Sequence, residues 1–167
     1  MANRDNHYEA AFESYLRGRA IPYVAVDESR RSLMAEQSLK SLDFIVSSPG
    51  GRTWLVDVKG RRFPSGEQKQ YWKNWSTRDD LDSLAVWEQL FGQSFEGLFV
   101  FAYNVVGNRA PLPAEELFEF RGGLYGFIAI RRRDYAAHAR PISPAWDTVA
   151  MPTEQFRRLA GPLTALV

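Results

Sequence analysis

Asp43, Asp57 and Lys59 are the residues of this chain whose types and spacing suit phosphate chemistry. Two carboxylates can hold a hard divalent cation, and an ammonium beside them can steady the negative charge that builds on a phosphoryl group under attack. Asp43 falls within the run Ser41 to Ser47 and the other two within Thr53 to Lys59, two segments whose apolar residues alternate as strands do. Between them Ser48-Pro-Gly-Gly-Arg52 is short and turn-rich, so the runs are expected to fold back as an antiparallel pair that brings Asp43 to Asp57. Alternation places Leu42, Phe44 and Val46 on one face of the first strand, and Asp43, Ile45 and Ser47 on the other. In the second strand Trp54, Val56 and Val58 oppose Leu55, Asp57 and Lys59. With the apolar faces packed inward, both carboxylates and the ammonium project together from the far side. Carboxylates so gathered repel and are costly to desolvate, which calls for a counter-charge, and a divalent metal would supply one.

A helix is expected upstream of this pair. Asp5 or Asn6 is suited to cap it, it runs through residues 7–16, and it stops at Gly18. Tyr8, Ala11, Phe12, Tyr15 and Leu16 recur at helical intervals and mark a buried stripe. Glu9 and Glu13 lie one turn apart on the border of that stripe, where a carboxylate can reach a site beside a sheet while its stem stays packed.

The order Asp43, spacer, Asp57-Val58-Lys59, with Glu9 on a preceding helix, resembles the pattern of the PD-(D/E)XK nuclease superfamily, which includes restriction enzymes, Holliday-junction resolvases and repair exonucleases. One position departs from it: Leu42 stands where the family has Pro, a residue that shapes the strand entry and touches no metal. The string His7-Tyr8-Glu9-Ala10-Ala11-Phe12-Glu13 is also similar to the signature of the bacterial HYExAFE family, a branch of the same superfamily. Together the two resemblances cover mainly residues 5–60. They imply a restriction-endonuclease-like αβββαβ core and a metal-dependent deoxyribonuclease, with branched or structured DNA among its substrates. They further imply Mg²⁺ or Mn²⁺ held by Asp43, Asp57, the Val58 carbonyl and Glu9, with Lys59 orienting water or stabilising charge, and products ending in a 5′-phosphate and a 3′-hydroxyl. In some branches a Gln or a second Lys follows the motif, which makes Gln68 or Lys69 an auxiliary candidate. Resolvases of the superfamily work as symmetric dimers, so a homodimer is also implied, although no heptad or apolar helix face marks its surface.

Composition bounds the remainder. With 167 residues, 45% of them hydrophobic, the chain suits one domain, its core at about 5–138 and a C-terminal wrap at about 139–167. Aromatic residues make up 14%, five of them Trp, enough for a large aromatic core or for ring faces that stack on bases. The absence of Cys excludes disulfides, thiolate nucleophiles and Cys-based zinc sites, and His7 and His138 alone cannot build a His-rich centre. Any metal must therefore be held by oxygen, which again points to Mg²⁺ or Mn²⁺. The polar N-terminus carries no signal peptide and no apolar run approaches the ~18 residues of a membrane span, so a cytoplasmic protein without membrane contact is expected. A formal net charge of +1 gives no global attraction to DNA, leaving local clusters at Arg30-Arg31, Arg61-Arg62 and Arg131-Arg132-Arg133. Arg61 and Arg62 follow Lys59 at the strand end where a phosphate backbone would approach.

Further along, residues 21–26 read as a short strand and residues 27–40 as a polar stretch. Residues 67–75 suit either a helical turn or a loop lining a groove. Thr77 or Asp79 caps a helix ending at Gly92, strands follow at 95–106 and 124–130, and short helices at 131–139 and 153–159. Two other functional classes stay open at this point. One is a non-catalytic nuclease-like domain that binds nucleic acid or a protein partner, and the other is a structural oligomerisation module. The first keeps the acidic cluster as a relic; taken singly, each residue also has an ordinary structural role, Asp43 capping a hairpin, Asp57 and Lys59 facing solvent on a wet sheet face, and Glu9 pairing with Arg4 or Arg17.

Overall fold

A computed structural model describes residues 6–27, 32–34 and 37–167. The elements run α1 (His7–Gly18), β1 (Tyr23–Ala25), β2 (Ser32–Met34), β3 (Gln37–Leu39), β4 (Phe44–Ser47), β5 (Thr53–Phe63), β6 (Ser76–Thr77), α2 (Arg78–Phe91), β7 (Phe95–Val105), β8 (Phe118–Phe120), β9 (Gly123–Arg131), α3 (Arg132–His138), β10 (Arg140–Ser143), β11 (Thr148–Ala150), α4 (Thr153–Leu159) and β12 (Gly161–Pro162). The central sheet is mixed, in the order β1-β4-β5-β7-β9-β12, with β8 also on β9. β4 and β5 form the expected antiparallel pair, Phe44 opposite Val56 and Ser47 opposite Thr53. β5 and β7 run parallel along their whole length, from Thr53 opposite Phe95 to Phe63 opposite Val105. Two smaller sheets, β10-β11-β6 and β2-β3, lie outside it.

Both faces of this sheet are covered, which is why β7 is apolar almost throughout. On one face Phe12 and Leu16 of α1 pack with Phe44, Val56, Val58, Val100 and Phe127. On the other, Leu84 of α2, Tyr135 of α3 and Phe156 of α4 pack with Leu55, Phe99, Phe101 and Ile130. The face of β5 that carries Asp57 and Lys59 is therefore not a wet one. It lies beneath α2, and Asp57 is only 9% exposed.

The first strand differs from expectation in a way that bears on the site. β4 begins at Phe44 rather than Ser41, and Leu42 packs in the cluster of Leu55 and Leu84, opposite the face taken by Phe44. Strict alternation would have kept Leu42 with Phe44. The break is at Asp43, whose N–H donates to the carbonyl of Val56, the residue that Phe44 already opposes. Two residues facing one is the pattern of a β-bulge, which kinks a strand and shifts the phase of its side chains.

The other expected elements are present with shifted ends. β5 continues through Arg61 to Phe63, residues 67–75 are irregular apart from a bridge between Ser65 and Gln70, and the segment after His138 contributes an edge strand, β12, to the main sheet. The Arg30-Arg31 cluster lies outside the described residues.

α1 sits close on β5 because Gly60 has no side chain: a methyl there would be driven into the ring of Tyr8. Gly60→Ala should therefore displace the helix that carries Glu9 and cost roughly 1–3 kcal/mol, measured by urea unfolding. Unchanged stability would mean that Tyr8 swings aside freely.

Candidate active site

β5 is longer than β4, so beyond Val56 its outer edge has no strand partner. The bulge fills the gap: the Asp43 carboxylate accepts the Val58 N–H at 2.5 Å, and the Asp43 carbonyl accepts from Val26 N at 2.9 Å. Sheet and side chain thereby diverge around a cleft of about 290 Å³, lined by Glu9, Lys40, Ser41, Asp43, Asp57, Val58 and Lys59. Glu9 is buried. Asn6 caps α1 by accepting from the backbone N–H groups of Tyr8 and Glu9, and its amide donates to the Glu9 carboxylate. A carboxylate in the first turn is also favoured by the partial positive charge of the helix N-terminus. Glu13 is turned away, accepting from Arg17 and from the Tyr23 hydroxyl, each at 2.8 Å.

Lys59 lies between two carboxylates, 2.9 Å from Asp57 and 2.8 Å from Asp80 of α2. Asp80 was not among the sequence candidates. It sits in the N-terminal turn of α2 and completes a capping box: its N–H donates to Thr77 Oγ1 and its carboxylate accepts from Thr77 N, both at 3.1 Å. The same carboxylate accepts from Ser76 Oγ at 3.1 Å and pairs with Lys40. The Thr77-x-x-Asp80 spacing was the available signal, but it reads as a local cap and says nothing of a second partner on β5.

Electrostatics follow from this packing. Burial pushes the Asp57 carboxyl up, Lys59 pulls it back, and the nearby Asp80 charge pushes it up again. Burial also disfavours a charged Lys59, but Asp57 and Asp80 outweigh it and hold the ammonium above its ordinary range. For Asp80 burial is overcome by Lys59, Lys40 and the Thr77 N–H, which hold its carboxyl well below the usual range.

The remaining sequence candidates are scattered. Arg61 extends from the same side of β5 as Lys59 but is half-buried, its guanidinium 3.9 Å from the Trp75 ring and bonded to the Gly60 and Trp75 carbonyls. Arg62 is exposed. Gln68 and Lys69 are exposed on the loop after β5, outside the cleft. Arg131, Arg132 and Arg133 are ion-paired to Glu96 or Glu88.

The donor set fits a hard cation by chemistry. Four carboxylates, Glu9, Asp43, Asp57 and Asp80, stand at or beside the cleft against the two ammonium groups of Lys40 and Lys59, and oxygen donors suit Mg²⁺ or Mn²⁺. As placed, no three His, Asp or Glu side chains converge on one point among the described residues. Asp57 is turned to Lys59 and Asp43 to the Val58 N–H.

Because folding depresses the Asp80 carboxyl, its stabilising contribution is complete above the ordinary Asp range, about pH 4, and is lost as pH falls toward the folded value. Asp80→Asn should flatten that acid limb of the stability curve. At neutral pH it should cost about 3 kcal/mol in urea unfolding, since Lys59 loses a buried partner.

No protein-family model and no curated protein sequence matches the chain. Among solved structures, Hjc of Archaeoglobus fulgidus, a Holliday junction resolvase from an archaeal hyperthermophile, is similar with a TM-score of 0.55 and 12% sequence identity. The match covers 96% of this chain and 97% of that one. The architecture is thus the mixed α/β fold of a resolvase, with a central mixed sheet flanked by helices as the PD-(D/E)XK resemblance implied. The HYExAFE string has no family-level match beside it.

Proposed function

We propose that the chain is a metal-dependent nuclease that hydrolyses phosphodiester bonds of DNA, with branched or structured DNA as its substrate. One observation carries this: Glu9, Asp43, Asp57 and Lys59, drawn from a helix, a bulge and a strand, line one cleft in a resolvase-like fold. Glu9, Asp43 and Asp57, with the Val58 carbonyl, would hold Mg²⁺ or Mn²⁺. When bound, such an ion neutralises charge on the scissile phosphate and acidifies water.

The chain's own residues do the rest. The two carboxylates that flank Lys59 favour its protonated form. Its role is to donate to a phosphate oxygen or to orient water, stabilising the charge that develops in the transition state. Asp80 positions that ammonium from α2. Arg62, exposed on β5 beyond the cleft, would contact a backbone phosphate. The homodimer that the PD-(D/E)XK resemblance implies would be the working unit.

One observation favours a second reading, a nuclease-like domain that binds nucleic acid without cutting it: the described acids do not converge as placed. Incubation with four-way junction, flap and single-stranded DNA, with and without Mg²⁺, separates the two. Cleavage should require Mg²⁺ and fall about 10²–10³-fold in Asp57→Asn and Lys59→Ala, with circular dichroism confirming the fold. Cleavage that survives both substitutions overturns the assignment. Tight, salt-sensitive binding with no cleavage of any substrate selects the second reading.

A further inference from the structure

The loop from Gln70 to Thr77 forms one wall of a second depression, of about 920 Å³, whose other wall is β10, β11 and the start of α4. Its volume is near the upper end of the ~300–1,000 Å³ usual for ligand sites. The wall is built, not a gap left by loose packing. The buried side chain of Asn74 spans the base of the groove, accepting from Met151 N at 2.8 Å and donating to the Met151 carbonyl at 3.2 Å. The Tyr103 and Tyr135 hydroxyls donate to the carbonyls of Lys73 and Asn74, both at 2.8 Å. On this rigid base large apolar groups stand open to solvent: Trp146 is 77% exposed, Ile142 58% and Trp75 37%. Exposed aromatic surface concentrated in one place marks a binding region.

Its charge narrows the occupant. Lys73 is the one charged residue among those lining the groove. Three guanidinium groups lie over its rings, Arg61 over Trp75 at 3.9 Å, Arg157 over Trp72 at 5.2 Å and Arg109 over Tyr71 at 5.4 Å. None of these four cations is ion-paired with a carboxylate among the described residues, although acids and bases nearly balance over the whole chain. Arg61 is committed to the Gly60 and Trp75 carbonyls, but Arg109 and Arg157 are exposed, and ring faces beside such open cations are what a strand of unpaired nucleotides requires, bases on the rings and phosphates on the cations. The groove and the cleft are lined by different residues but adjoin along the chain. Arg61 follows Lys59 by two residues on β5, about 7 Å along the strand, and the loop that carries Trp75 runs directly into Ser76, Thr77 and Asp80.

We infer that this groove binds single-stranded nucleic acid by stacking unpaired bases on Trp75 and Trp146, and so holds the unpaired arm of a branched or frayed substrate. That the strand leads to the cleft for cutting rests on the nuclease proposal; that the groove holds unpaired bases does not. Binding is therefore tested without cleavage, by fluorescence anisotropy in EDTA. The probes are a labelled oligothymidine, an abasic chain of the same phosphate count and a blunt duplex of the same length. Oligothymidine should bind more tightly than the other two, weaken as salt is raised, and lose roughly five- to a hundredfold in affinity in Trp146→Ala, whose exposed ring contributes nothing to the core. Trp75→Ala should show a loss of the same order. Equal affinity for the abasic chain, or affinity that neither substitution changes, overturns the inference. Failure to bind oligothymidine at low salt also overturns it. Loss of Mg²⁺-dependent cleavage alone would bear only on the nuclease proposal.

Discussion

The ammonium of Lys59, held between Asp57 on its own strand and Asp80 on α2, is the interaction on which the functional half of the molecule depends. Without it two carboxylates would face each other beneath a helix, at a cost that buried unpaired charge cannot sustain. With it, one cation ties the central strand to the helix covering it. Asp80 is at the same time the residue that starts α2, through its exchange of hydrogen bonds with Thr77. The charge pair, the helix origin and the loop leading into it are therefore set by a single carboxylate, which has a stabilising and a positioning role at once.

The bulge at Asp43 is the complementary device. β5 must outrun β4 for a cleft to open, yet an unpaired backbone donor at that point would be costly. Asp43 meets both requirements: its irregular backbone ends the ladder, and its carboxylate replaces the missing strand at the Val58 N–H. The shift in phase then sends Leu42 to the opposite core cluster, anchoring the chain just before the site.

Much of this was legible in local patterns because local forces decide it. The stripe of Tyr8, Phe12 and Tyr15, the hairpin on either side of Ser48 to Arg52, the cap at Thr77 and the apolar run of β7 are set by periodicity and short-range hydrogen bonds. The candidates Glu9, Asp43, Asp57 and Lys59 were likewise found by spacing, and they line one cleft. What escaped depends on partners far away in the chain. Leu42 changes face because of a hydrogen bond between Asp43 and Val56. Local pattern puts Arg61 at a strand end, whereas parallel pairing with β7 extends β5 to Phe63 and Arg61 turns inward onto Trp75. The loop at 70–75 takes its shape from Asn74 meeting Met151, and Asp80 gains its second role only when α2 settles on β5.

The border of the sheet beyond β9 is divided between two short pieces, β8 and the two-residue β12, and the latter ends in Pro162. Proline has no N–H to offer, and brief, interrupted rims make poor templates for another chain's backbone. Two copies of this protein are thus discouraged from fusing into one continuous ribbon on that flank, so self-association there has to proceed through side chains, where geometry and charge can discriminate between a proper partner and an aggregate.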